Sequence, residues 1–220
     1  MSYQYENLTI DRLGHASIRF VIDDTTVVYI DPWSEVIENE PVTADYVFIT
    51  HDDFDHYDPE GIAQVMDDET TVIVYKSIDT ADLDIAVQGI ADEELTFDAF
   101  TVEPTPAYNH PDGPHIDEDG NPYHSEGEVI GLRFNVGDVS VWYPSDTDHL
   151  AEHEMYEVNI LIPPIGGTYT MDQHEAAALA VALDPDVVLP IHYNTFEAVK
   201  ADAESLVAEL AEERIEAEPM

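Results

Sequence analysis

The stretch Asp45-Tyr46-Val47-Phe48-Ile49-Thr50-His51-Asp52-Asp53-Phe54-Asp55-His56-Tyr57-Asp58-Pro59-Glu60 decides how this chain is read. Its opening is a β-branched and aromatic run of the kind that fills a buried strand. Its close is a helix start, with Asp58 as the cap and Pro59 at the first helical position. Between them, two histidines and three aspartates share six positions. A strand that ends in imidazoles and carboxylates and turns at once into a helix holds reactive groups firmly while leaving one side open to solvent. Such groups supply nitrogen and oxygen ligands to a divalent cation. The aspartates alone carry little weight in a chain with 49 Asp plus Glu among 220 residues, where an acidic solvated loop is the bland reading. The histidines, 10 in all, are the stronger signal.

Working outward, Leu8 to Ile10, Ala16 to Ile22 and Thr26 to Ile30 read as strands, with Asp23-Asp24 as the turn between the last two. Gly14-His15 sits at a strand entrance and Asp31-Pro32 at a strand end, each a packing or turn feature unless it borders a site. Beyond the central cluster, Thr71 to Tyr75 completes a β-loop-α-β unit. Ile85 to Val87 and Leu95 to Val102 are short strands. From Pro104 to His124 a loop rich in Pro, Gly and Asp carries His110, His115 and His124, and unpaired loops of about 15 residues are usually functional or mobile. A hairpin follows, Val129 to Val136 and Val139 to Tyr143, turning at Gly137-Asp138 and leaving through Ser145-Asp146-Thr147-Asp148-His149. Val158 to Ile162 is a buried strand that ends in Pro163-Pro164-Ile165-Gly166-Gly167. Thr170 and Gln173 are spaced as a capping box for a helix ending at Leu183. Asp186 to Ile191 is the last strand, ending in His192, and Glu197 to about Glu213 forms an amphipathic helix. Neither a repeat nor a linker interrupts the pattern, so residues 1–220 read as one α/β domain.

A hydrophobic content of 44% suffices for a sizeable core. No apolar run approaches the 18 or so residues of a membrane span, and the first residues lack a secretory pattern. With no cysteine, disulfides and thiolate ligands are excluded, and a cytoplasmic protein is the expectation. The formal charge of −43, with six Lys plus Arg, is spread along the chain. So much like charge opposes the compact state in dilute buffer, whereas at molar salt the Debye length shrinks to about 3 Å. The apolar patterning is that of a folded protein, so the composition points to salt adaptation. It also makes a nucleic-acid substrate hard to justify, and leaves a small molecule as the expected partner.

Thr50-His51-x-Asp53-x-Asp55-His56, Asp146-Thr147 after a later strand and His192 at the last strand end resemble the metal motifs of the metallo-β-lactamase fold. The ending is more specific. Leu161 through Met171, Glu175-Ala176-Ala177 and Pro190 through Phe196 resemble the small metal-dependent hydrolases of that superfamily, a branch to which ascorbate-6-phosphate lactonase is related. Gly14-His15-Ala16, Ile30-Asp31-Pro32 and Pro106 through Asn109 match it too, so the resemblance spans nearly the whole chain in family order. It implies a four-layer αββα sandwich with the site at one edge, where strand ends meet.

The resemblance also implies a dinuclear centre. One metal takes His51, residue 53 and a loop histidine; the other takes Asp55, His56 and His192, with Asp146 bridging. His124, shortly before Ile130-Gly131, is the favoured loop histidine, with His110 as its competitor. The family usually carries histidine where this chain has Asp53. A carboxylate there is a harder ligand, so zinc is the first expectation with manganese or iron as alternatives, unless Asp53 stays solvated and one metal is missing. Two such ions share a hydroxide at neutral pH and polarise the oxygen it attacks, with Asp55 and Asp146 as catalytic carboxylates. His15 and Asp31 are placed around the ligands, and Gly166-Gly167 either offer N–H groups to substrate or form a tight turn. The expected activity is hydrolysis of an ester-like bond, a phosphoester or a lactone, in a small metabolite. The rival is a non-catalytic metal-binding or sensing protein with a degraded site.

Overall fold

The structure is a computed structural model that describes residues 2–38 and 40–219. Seven strands form a first sheet in chain order: β1 (Ser2–Tyr5), β2 (Leu8–Gly14), β3 (Ser17–Ile22), β4 (Thr26–Ile30), β5 (Tyr46–Ile49), β6 (Thr71–Tyr75) and β7 (Val87–Ile90). Pairing is antiparallel from β1 to β4 and parallel from β4 to β7. The second sheet repeats this plan. Strands β8 (Leu95–Thr96), β9 (Thr101–Ala107), β10 (Val129–Val136) and β11 (Val139–Tyr143) are antiparallel. Strands β12 (Ile160–Leu161), β13 (Val187–Val188) and β14 (Glu216–Ala217) then follow in parallel. A sequence without visible repeats thus folds as two like halves.

The sheets meet face to face through alternate side chains of each strand, as the period of two requires. Phe134 sits at the centre of this core, edge-on to Phe20 at 5.2 Å and to Phe48 at 5.3 Å between ring centroids. Helix α1 (Pro59–Val65) packs Ile62 and Val65 into the same cluster. Helices α2 (Gln173–Leu183) and α3 (Ala203–Glu213) cover the outer face of the second sheet, where Leu179, Leu206 and Leu210 bury against Trp142, Leu161 and Val188. This is the expected αββα sandwich.

Several local details differ from the sequence reading. Asp172, not Thr170, caps α2: it accepts from the His174 and Glu175 N–H groups, and Glu175 accepts from the Asp172 N–H in return. The last helix starts at Ala203 behind the cap Asp202, and Glu197–Val199 forms a separate 3-10 turn. Strands β12 and β13 are shorter than their apolar runs because Pro163, Pro164 and Pro190 withhold the N–H groups a longer ladder needs. Conversely, β9 runs through Pro104 and Pro106, read beforehand as loop. It can, because β8 pairs only with Thr101 and Val102, so the two prolines lie where β9 is the sheet edge. Strands β1 and β14 carry no clear apolar alternation, so the sequence pattern does not reveal them.

Candidate metal centre

Strand ends from both sheets converge at one edge of the sandwich. Four of the ten non-glycine residues with positive φ among the described residues are gathered here: His15 (49°), Asp31 (47°), Ser145 (59°) and His192 (55°). Left-handed backbone is costly for these residue types and persists where surrounding structure enforces it. Here it turns the chain sharply at each strand end. The His192 N–H donates to the His15 carbonyl at 2.9 Å, tying the exit of β13 to the β2–β3 turn. The neighbouring Gly14 has φ of 150° and lies so close to Val36 that a Cβ would stand 2.8 Å from the valine Cβ.

The side chains form three overlapping groups, each with candidate ligand atoms within 4.8 Å of one another: His51, Asp53 and His124; His51, His56 and Asp146; and His15, Asp55, His56 and His192. The Asp53 carboxylate lies 3.2 Å from His124 Nε2 and 3.7 Å from His51 Nε2. Asp146 stands between the groups, its oxygens 3.1 Å from His192 Nε2, 3.5 Å from His56 Nε2 and 3.8 Å from His124 Nε2. All these side chains are buried except Asp53, which is 53% exposed.

A second layer of hydrogen bonds sets the tautomers. Asp31, fully buried, accepts at Oδ2 from Thr50 Oγ1 (2.7 Å), His56 Nδ1 (2.8 Å) and the Tyr143 hydroxyl (2.9 Å), and at Oδ1 from the Thr50 N–H (2.9 Å). Thr50 Oγ1 in turn accepts from Ser145 Oγ at 2.8 Å and faces His51 Nδ1 at 3.0 Å. Because its one proton goes to Asp31, His51 Nδ1 must be the donor in that contact. Asn109 does the same for His124, with Oδ1 3.2 Å from Nδ1 and accepting from the His124 N–H at 2.9 Å. Asn109 is itself held by Asp148, which also accepts from the His110 N–H and from His115 Nδ1.

With Nδ1 of these rings committed as donors, their Nε2 lone pairs point into the cluster. His51 Nε2 and His56 Nε2 are buried without a hydrogen-bond partner. Lone pairs facing carboxylate oxygens in a buried site repel unless a proton or a cation stands between them. The protonation tendencies show the same demand. Contact with His124 and His51 holds Asp53 far below the usual carboxylate range. Burial pushes Asp146 up, but His192 and His56 outweigh it and hold it well below that range. Burial pushes His56 and His124 down, yet Asp146 and Asp31 for the first, and Asp53 and Asp146 for the second, raise both. His51 is lowered by burial and by His56, so it stays a neutral donor of electrons. The donor set fits divalent metal.

Most of the expected residues therefore come together: His51, Asp53, Asp55, His56, His124, Asp146 and His192, with Asp31 behind His56. His110 does not. It is exposed, its Nδ1 accepts from the Asp112 N–H, and it contributes to the site only through its backbone bond to Asp148. His15, expected around the ligands, is buried there, with Nε2 2.7 Å from Asp55 Oδ2. Gly167 does not offer its N–H to a ligand, since that group donates to the Met171 carbonyl. Gly166 serves by lacking a side chain: a Cβ there would lie 2.7 Å from the His192 carbonyl and 3.2 Å from its Nδ1. Thr50 and Asn109 belong to the quoted motifs but have no role legible in the sequence, and Tyr143 carries no signal at all, because lone polar residues have no spacing pattern.

The cluster floors a cleft of about 400 Å³ whose lining includes Asp53, Asp55, Asp146 and His192, with Phe54, Tyr123, Tyr169 and Phe196 among its walls. Fold and cleft together define the class, and the chain matches the Beta-lactamase superfamily domain over residues 9–192. Within that superfamily it belongs to the UPF0173 metal-dependent hydrolase family and is a metal-dependent hydrolase. A relative from Staphylothermus marinus is 31% identical over 220 residues, covering 89% of this chain and 87% of its own. Another from Aeropyrum pernix is 30% identical over 206 residues, covering 87% and 85%. Among solved structures, a protein named as a metal-dependent hydrolase from Parabacteroides distasonis superposes with a TM-score of 0.83 at 24% identity, over 99% of this chain and 96% of that one. Igni18, a metallo hydrolase from Ignicoccus hospitalis, gives 0.75 at 23% identity, over 97% and 94%. At that identity the two structures speak for the fold. No helix among the described residues is long and apolar enough to cross a membrane.

Proposed function

We propose that the chain, acting as one domain, holds two divalent ions and hydrolyses an ester-like bond, a phosphoester or a lactone, in a small metabolite, as a relative of the ascorbate-6-phosphate lactonase branch. His51, Asp53 and His124 would hold one ion and Asp55, His56 and His192 the other, with Asp146 shared. The observation that carries this is the pair of buried, partnerless imidazole nitrogens of His51 and His56, facing carboxylates at the floor of an open cleft. Zinc is the first choice, with manganese or iron as alternatives favoured by the carboxylate at position 53. When bound, such ions supply a strong nucleophile from water at neutral pH and polarise the substrate oxygen under attack.

The chain's own contribution is positional. Asp31 and Asn109 fix the rings of His56 and His124, and ligands so supported hold metal better than unsupported ones. His15 steadies Asp55: burial pushes that carboxyl up, but the His15 hydrogen bond and His56 outweigh it and keep Asp55 ionised. The aromatic walls give the cleft an apolar flank beside the carboxylates. We further read the excess acid as adaptation to a salt-rich cytoplasm, and nucleic acid as excluded from the substrates because, among the described residues, no Lys or Arg lines the cleft.

Metal per chain, measured by elemental analysis on protein kept in molar potassium chloride without chelator, tests the reading. Close to two equivalents is expected. One equivalent overturns the dinuclear assignment, and none after reconstitution with zinc or manganese overturns the metal centre.

A further inference from the structure

The cleft's walls carry information that the metal ligands do not. Phe54 projects between Asp53 and Asp55 with 69% of its surface exposed, an unusual state for so large an apolar side chain beside a polar cluster. It is braced there by other rings, with Phe196 at 6.1 Å and Trp33 at 6.2 Å between centroids, while Trp33 also touches Phe196 at 5.7 Å. Tyr123 and Tyr169, also in the lining, pack edge to face at 4.8 Å. Rings held by one another lose little freedom when a ligand stacks on them.

Charge selects in the same direction. An anionic substrate needs cationic side chains or free N–H groups for its oxygens. Among the described residues, no Lys or Arg lines the cleft. Arg19, Lys76, Arg133 and Lys200 are each paired with an acid elsewhere, and Arg12 lies over the Tyr193 ring. The glycine turn beside His192 has its Gly167 N–H committed to Met171. Three carboxylates at the floor, Asp53, Asp55 and Asp146, would neutralise most of the charge of two divalent ions.

We propose that the cleft selects an uncharged ester or lactone bearing an aromatic or similarly flat apolar group, seated against Phe54 and Phe196, and disfavours phosphate esters. This rests on the hydrolytic reading above and narrows it. The step is a plain hydrolysis: water adds to the carbonyl carbon, the acyl–oxygen bond breaks, and the acid and alcohol leave with the two protons of water between them.

The test uses zinc-loaded protein in molar potassium chloride with three probes: methyl phenylacetate, methyl acetate and phenyl phosphate. The expected kcat/KM for methyl phenylacetate exceeds that for methyl acetate by about tenfold or more, the range hydrophobic pockets achieve, and phenyl phosphate is the poorest of the three. Phe54→Ala, at a side chain 69% exposed, should shrink the ratio of the two methyl esters. Saturation-transfer NMR supplies a readout independent of turnover: the phenyl protons of methyl phenylacetate should receive magnetisation from the native protein and much less from the variant. Faster turnover of phenyl phosphate, or a ratio unchanged in Phe54→Ala, overturns the proposal. If no ester is cleaved, the hydrolytic reading fails separately, and the NMR signal then decides: transfer lost in the variant sustains aromatic recognition, and absent or unaltered transfer ends it.

Discussion

Asp31 never faces the cleft, yet its removal should weaken metal binding. Consider Asp31→Asn, which preserves shape while removing charge. Three donors converge on Oδ2 and one on Oδ1, so the amide oxygen will keep the crowded side and the NH2 group will be forced against the Thr50 N–H. That loses one bond and strands a buried donor, at about 1–3 kcal/mol, and turns three charge-assisted bonds into weaker neutral ones. The desolvation cost of the carboxylate disappears in exchange. The net destabilisation is then about 2–4 kcal/mol, read by urea denaturation of metal-free protein in molar salt. Tyr143, whose hydroxyl is pushed well up first by burial and then by the Asp31 charge, remains a donor in both proteins. The more telling quantity is metal affinity. With Asp31 neutral, His56 loses the partner that fixes its Nδ1–H form, and loss of such support lowers affinity by about 10–100-fold. Competition with a chromophoric chelator measures it. A variant that is less stable but binds metal within about twofold of the native protein would show that Asp31 only braces the fold, and the tautomer argument would be refuted.

Two further perturbations probe other parts of the structure. Gly166→Ala places a methyl group 2.7 Å from the His192 carbonyl and 3.1 Å from Val199 Cβ; overpacking of this kind costs about 1–3 kcal/mol, and a thermal midpoint unchanged within a degree or so would contradict the packing role given to that glycine. His153 predicts a pH effect. It is buried, with Nε2 donating to the Pro106 carbonyl and Nδ1 accepting from the Leu150 N–H, and burial lowers its pKa to about 4 from an ordinary value of 6.5. Between those values the unfolded chain binds the proton and the folded chain does not, so stability falls as pH drops through that window. At about 1.4 kcal/mol per unit, the loss approaches 3 kcal/mol. His153→Gln should flatten the slope of denaturation midpoint against pH between 6.5 and 4, and an unchanged slope would refute the assignment.

The part of the site that the sequence displays is the part that is contiguous. Residues 51–56 sit on one strand exit, so two histidines and the aspartates between them are legible without knowing the fold. His192 and Asp146 are legible as strand-end residues. What is hidden depends on the path of the chain. His124 is favoured over His110 by its place shortly before Ile130-Gly131, but the physical cause lies in the fold: Asp148 holds Asn109 and the His110 backbone, and Asn109 holds His124. His15 reaches Asp55 across 40 positions through a left-handed turn that local propensity disfavours. The duplicated sheet plan was invisible for a different reason. Backbone ladders define it, and many side-chain sequences satisfy the same ladder. The exit strands were overextended because apolar runs show what is buried, whereas prolines set where pairing stops.

Pro104 and Pro106 also guard the margin of their sheet. Past Val102, strand β9 forms the outer margin of its sheet, and at Pro104 and Pro106 it has no N–H to present; the Pro106 carbonyl is already occupied by His153. A neighbouring molecule seeking to add its own strand here finds no N–H group at either proline. In dilute solution, mutual repulsion between such acidic molecules would keep them apart anyway. At molar ionic strength that repulsion reaches only about 3 Å. There the two imino acids still deny an incoming strand its N–H groups along this stretch of margin, whatever the salt concentration.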